Sequence, residues 1–154
     1  MRTNPLPGFT ERWAALSAER SPLCLGIAPS DKWLAAWNLP ADVSGARAFC
    51  EAVLTATGSS LAVFKVQTPF FTRFGPEGVR LLRWLTDRAH DHGSLVLLDA
   101  KVGDADDTMH AHADFHLGPN SVLGGDAVTA QCFMGFASLT PCCTGPRRCP
   151  PRSS

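Results

Sequence analysis

Leu95-Val96-Leu97-Leu98-Asp99-Ala100-Lys101-Val102-Gly103-Asp104 sets the architecture of this chain. Its first four residues are apolar with no polar alternation. That pattern predicts a strand covered on both faces, as in a parallel sheet. The run then breaks into charge at Asp99, Lys101 and Asp104. Charge arriving at the end of such a strand, rather than along it, is expected where strand ends meet a ligand.

Similar units lie on either side. Upstream, Val79, Leu82, Leu85 and Ala89 form an apolar stripe at helical spacing. Pro76 stands at the first helical position and Gly93 closes the helix. Before that helix, Phe70, Phe71 and Phe74 fall in a loop or short helix, and Leu61-Ala62-Val63-Phe64 is a strand running into Lys65. Ser44 to Thr57 is a helix stopped by Gly58, and Asp31 to Trp37 is a helical turn closed by Pro40. Leu23-Cys24-Leu25-Gly26-Ile27 reads as a buried strand. Phe9 to Glu19 reads as a short helix with Thr10 as its N-cap. Downstream, Thr108 to His116 can form a helix and Asp126-Ala127-Val128-Thr129 a further strand, with Gly124-Gly125 as a turn.

Strands alternating with helices imply right-handed β/α units around a parallel sheet. A closed eight-stranded β/α barrel takes ~250 residues, and at least ~200. The chain has 154. The expected fold is therefore α/β, a partial TIM-type barrel amounting to about its first half, or else an open sheet. Charged residues make up 18% and the formal net charge is zero, so nothing draws the chain to nucleic acid or an anionic membrane. No apolar run approaches the ~20 residues of a membrane span. Met1 to Thr10 lacks the basic-then-apolar pattern of a signal peptide, so the expected location is cytoplasmic.

In a β/α barrel the C-terminal strand ends form the active face. Residues two apart on a strand point the same way, so Asp99 and Lys101 are expected to share a face. Lys65 occupies the matching place on the preceding strand, ~4.8 Å away, and can reach the same cluster. Alternating carboxylates and ammonium groups hold each other ionised and create a strong fixed field. A carboxylate aimed at an anionic substrate group destabilises it. A nearby ammonium can stabilise a carbanion and supply a proton. The alternative is an ion-pair network that only ties strand ends together.

Asp99-Ala100-Lys101-Val102-Gly103-Asp104, followed by Thr108, resembles the Asp-x-Lys-x-x-Asp-x-x-x-Thr signature of the orotidine 5′-phosphate decarboxylase family. Leu23 to Pro29 is similar to the family's first strand, usually Leu-Gly-x-Asp-Pro. Phe64-Lys65-Val66-Gln67-Thr68-Pro69-Phe70-Phe71, with Gly75, is similar to the Lys-x-Gln-x-x-Phe-Phe segment of its longer bacterial branch. Asp126 to Thr129 and Gly135-Phe136 resemble the fifth barrel strand and the loop after it. The resemblance covers roughly residues 9 to 140.

The resemblance implies a cofactor-free decarboxylation of orotidine 5′-phosphate to uridine 5′-phosphate by a homodimer. Lys101 would protonate C6 of the pyrimidine, and Asp99 would lie beside the departing carboxylate. Lys65 would orient Asp99 and touch the ribose. Asp104 and Thr108 would cross a dimer interface into the partner's site. Ser138 matches a serine in the family's segment after the fifth strand and is a candidate substrate contact. Related sugar-phosphate decarboxylases, which need magnesium, share the six-residue signature.

Three departures accompany the resemblance. Ala28 stands where the family has an aspartate that holds the ribose. Gln131 to Ser138 differs from the usual Asn-Pro-Tyr-x-Gly-x-Asp-Ser, and Asp106 and Asp107 add negative charge beside the signature. The later strands, which in the family carry the glutamine and arginine that grip the phosphate, are not in this sequence. A second reading is therefore a non-catalytic, C-terminally truncated remnant that at most dimerises.

The remaining features have plainer readings. The six cysteines are taken as reduced thiols, with Cys24, Cys50 and Cys132 as small buried hydrophobes. His112 and His116 are four apart, but the histidines are taken as surface residues, with no metal site. Trp13, Trp33, Trp37 and Trp84 are taken as core or interface residues. Pro141 to Ser154, rich in Pro, Cys and Arg with no apolar face, is expected to be disordered, and its abrupt change of character suggests a frame shift.

Overall fold

The computed structural model describes residues 8–144. Seven helices and four strands follow in order: α1 (Phe9–Glu19), β1 (Ser21–Ile27), α2 (Asp31–Ala36), α3 (Val43–Thr57), β2 (Leu61–Gln67), α4 (Pro69–Thr72), α5 (Pro76–Asp91), β3 (Leu95–Val102), α6 (Asp106–His116), β4 (Ala127–Ala130) and α7 (Thr140–Thr144). Short 3-10 turns occupy Gly58–Ser60 and Phe136–Leu139. The strands form one parallel sheet in chain order, β1-β2-β3-β4.

Sheet register sorts the side chains into two faces. Phe64, Val66, Val96 and Leu98 are fully buried among α3 and α5, with Leu54, Leu82 and Leu85 in the same core. The opposite face carries Lys65, Gln67, Leu97 and Asp99, since Lys65 pairs with Leu97 and Gln67 with Asp99. Helix α1 packs Phe9 and Leu16 against Val63 and Leu95 near the N-terminal ends of β2 and β3. Two glycines let helices sit close to backbone. A Cβ on Gly45 would lie 1.9 Å from the Pro40 carbonyl oxygen, and one on Gly78 would lie 1.8 Å from that of Phe71.

Several expectations are corrected. Strand β1 is an edge strand, exposed along most of its length, and Cys24 is exposed with it. Its apolar composition marked a strand but did not reveal that only its last residues, Leu25 and Ile27, reach the core. Cys132 is exposed too. Among the described cysteines only Cys50 is buried, with its thiol pushed up to about 12 by burial. Helix α1 is capped by Gly8, whose N–H donates to Glu11, and Thr10 lies inside the helix. Trp13, Trp33 and Trp37 are exposed. Trp84 does pack on the core, under the Arg47 guanidinium. His116 is buried rather than on the surface. Its Nδ1 meets the His112 carbonyl at 2.7 Å, and burial holds its pKa below the usual histidine value. Helix α7 runs across the start of the tail expected to be disordered, whereas residues 145–154, including Cys149, lie outside the described residues.

Candidate active site

Asp99 is the centre of the site. It sits near the C-terminal end of β3 with its side chain 6% exposed. Lys101 Nζ donates to Asp99 Oδ1 at 2.6 Å, and Lys65 Nζ stands 3.6 Å from Oδ2. The Thr129 hydroxyl donates to Oδ1 at 2.9 Å. The Lys101 hydrogen bond holds the carboxyl below the usual range, against the opposing pull of desolvation. Thr129 and the charge of Lys65 add to the lowering. Thr68 fixes the backbone beneath, its N–H and hydroxyl both meeting the Asp99 carbonyl at 3.3 Å.

Asp99 and Lys101 meet, but not by plain strand alternation. Leu98 pairs with Val128 and Val102 with Ala130, so β3 takes four steps where β4 takes two. The extra residues form a bulge containing Asp99 and Lys101, a device that re-aims side chains beside sites. Within it Lys101 has φ 51°, left-handed backbone that costs a non-glycine residue ~1–2 kcal/mol. The Lys101 N–H, turned out of the regular ladder, donates to Thr129 Oγ1 at 2.9 Å. Lys65 reaches the cluster diagonally from two residue pairs lower in the register, where it lies opposite Leu97.

The other expected residues are not part of this cluster. Asp104 is exposed, and its carboxylate accepts from the Ala105 N–H at 2.6 Å. Thr108 is exposed on α6. Ser138 donates to the Gly135 carbonyl at 2.8 Å within its own turn. Thr129 is the contact that residue-type reasoning passed over. A threonine in a β-branched strand carries no signal of its own, and only the adjacency of β4 to the bulge brings its hydroxyl to Asp99.

Two further arrangements frame the site. At the N-terminal strand ends, Asp126 accepts from Arg12 at 2.6 Å, from the Val96 N–H at 2.8 Å, and pairs with His90 Nε2 at 2.8 Å. At the mouth, Arg73 bridges Asp31 at 2.7 Å and donates to the Pro29 carbonyl, next to Ala28. Among the described residues no group of three or more His, Cys, Asp or Glu is placed to hold a metal ion. No described helix is long and apolar enough to cross a membrane.

A parallel sheet in chain order flanked by helices, with lysines and aspartate gathered where strands end, is the arrangement of successive β/α-barrel units, a fold whose ligand sites lie at the C-terminal strand ends. The chain belongs to the Orotidine 5′-phosphate decarboxylase / HUMPS family, whose profile matches residues 21–152. It is 45% identical over 137 residues to an orotidine 5′-phosphate decarboxylase of Myxococcus xanthus, covering 89% of this chain and 47% of that protein. It is 42% identical over 133 residues to one from Nocardioides, covering 86% and 49%. A solved structure from Streptomyces avermitilis, described as an enzyme of this kind, superposes with a TM-score of 0.87 at 40% identity, over 92% of this chain and 50% of that one. The chain thus spans about half the length of the curated relatives it matches, and its fold is the corresponding half of the barrel.

Proposed function

We propose that this chain carries the charge chemistry of orotidine 5′-phosphate decarboxylation, giving uridine 5′-phosphate without a cofactor. The observation that carries the reading is the Asp99 carboxylate, nearly buried and bracketed by Lys101 and Lys65, in a member of this family. With the substrate carboxylate beside Asp99, like charges oppose each other in the ground state and the opposition vanishes as carbon dioxide leaves. The C6–carboxylate bond breaks and its electron pair stays on C6. The Lys101 ammonium faces that developing negative charge and delivers a proton to C6. The neutral amine then regains a proton from water. Lys65 keeps Asp99 ionised and oriented and meets the ribose. A homodimer in the cytoplasm belongs to the same proposal, with the exposed Asp104 and Thr108 serving the partner's site and Ser138 contacting the substrate.

One feature favours a second reading, in which the chain binds poorly and turns over little. Ala28 presents a methyl group where the family holds the ribose with a carboxylate, and nearby Asp31 is engaged by Arg73. Uridine 5′-phosphate formation by the purified chain separates the two. The first reading expects turnover that Lys101→Ala lowers by ~10²–10⁴-fold. Turnover no higher than that of the Lys101→Ala variant refutes it for this molecule.

A further inference from the structure

We infer that Thr129 is a positioning residue for the Asp99–Lys101 pair. The inference deepens the function proposed above and rests on it for its catalytic consequence. One hydroxyl makes two directed contacts, accepting from the Lys101 backbone N–H at 2.9 Å and donating to Asp99 Oδ1 at 2.9 Å. A hydroxyl can do both at once, having one proton and two lone pairs. Its two partners belong to two residues within the bulge of β3, and the hydroxyl comes from the neighbouring strand. Thr129 therefore ties the backbone that launches the Lys101 side chain to the carboxylate that receives its ammonium.

The contact has directional consequences. Because the hydroxyl proton is committed to Asp99, its lone pairs face Lys101 N, and rotation about the Thr129 Cα–Cβ bond would break both bonds together. The left-handed backbone of Lys101 removes its N–H from strand pairing, and Thr129 Oγ1 is the acceptor that satisfies it. With Lys101 Nζ and Thr129 Oγ1 both on Oδ1, Oδ2 is left to Lys65. The charged groups facing Asp99 are Lys101 on its own strand and Lys65 on β2, while β4 contributes this neutral donor.

The test uses the full chain with carboxyl-labelled aspartate, followed by carbon NMR through an acid titration, alongside amide hydrogen exchange at Lys101. Thr129→Val keeps the shape and removes the hydroxyl. Thr129→Ser keeps the hydroxyl. The expected result is an Asp99 titration midpoint raised about tenfold in proton affinity by Thr129→Val and held near wild type by Thr129→Ser. Lys101 amide exchange should quicken in Thr129→Val alone, and kcat should fall with KM little changed. A midpoint unmoved by Thr129→Val, or moved as far by Thr129→Ser, overturns the assignment. Should Thr129→Val fail to fold, the wild-type chain decides, since a Lys101 amide exchanging at the unprotected rate overturns it too. The midpoint and exchange readouts need no turnover. An inactive chain with the expected midpoints would sink the proposed function while leaving the Thr129 contact standing.

Discussion

Two nearly buried aspartates sit at opposite ends of the same sheet, and they are held differently. Asp126, at the N-terminal strand ends, is gripped by a guanidinium, an imidazole and a backbone N–H. Asp99, at the C-terminal ends, is held by two ammonium groups and a hydroxyl. Arg12 brings a planar guanidinium from α1, His90 comes from α5, and the Val96 N–H is fixed in β3, so the Asp126 arrangement is a clamp joining α1, α5, β3 and the start of β4. The ammonium groups at Asp99 are point charges on flexible stems, and the Lys101 side chain is 59% exposed, so it is open to solvent where Asp126's partners are packed between elements. The same carboxylate chemistry serves cohesion at one end and, in the function proposed above, reactivity at the other, matching the division between the two faces of a β/α barrel.

The largest effect is expected at Lys101. Lys101→Ala should remove nearly all uridine 5′-phosphate formation while moving the urea midpoint little, because its side chain is mostly in water. A large loss of stability instead would make the C-terminal cluster a clamp as well. Next in size is Asp126→Asn. It should cost ~2–3 kcal/mol in urea unfolding, since Arg12 and the Val96 N–H lose a charged acceptor, and it should leave the Asp99 titration alone. Asp99→Asn should cost less stability than that, and equal losses would erase the distinction. Ala28→Asp acts at the mouth of the site. If ribose contact is the chief deficit, kcat/KM should rise roughly tenfold, in line with ~1–3 kcal/mol for such a bond. No change would show that contacts elsewhere limit the reaction.

The smallest effect is in pH. The folded carboxyls of Asp99 and Asp126 titrate below their unfolded values, so their contribution to stability is complete above ~4 and is lost as pH falls through the folded pKa. His116 acts in a different window. Its folded pKa lies below the unfolded ~6.5, so the unfolded chain takes up protons first, and stability falls as pH drops from ~6.5 to the folded value. His116→Gln should flatten that upper limb of a stability-against-pH curve and leave the acid limb in place.

Most of the elements were legible because each carries a local cause. The stripe at Val79, Leu82, Leu85 and Ala89 needs only helical spacing, and Pro76 and Gly93 mark its ends through backbone chemistry. The strands at Leu61 and Leu95 needed only composition. Strand β1 shows the limit of that reasoning, since apolar residues predict a strand but burial depends on what lies beside it. Cys24 was misplaced for the same reason, and Trp13, Trp33 and Trp37 lie outside the core. His116 was missed in the opposite sense, since a polar residue on a helix is buried only if a neighbouring segment covers it.

The sequence by itself determined the β/α alternation, the identity of the charged residues and the strand end from which Asp99 and Lys101 arise. It also showed that Lys65 could reach them, because parallel neighbours with matched ends lie one strand spacing apart. Only the tertiary structure decided how they meet. The bulge against β4, the left-handed backbone at Lys101 and the Thr129 hydroxyl between them all depend on contacts from another strand. Spacing along one chain encodes which side chains are available, while their aim is set by the neighbours that accept or refuse each hydrogen bond.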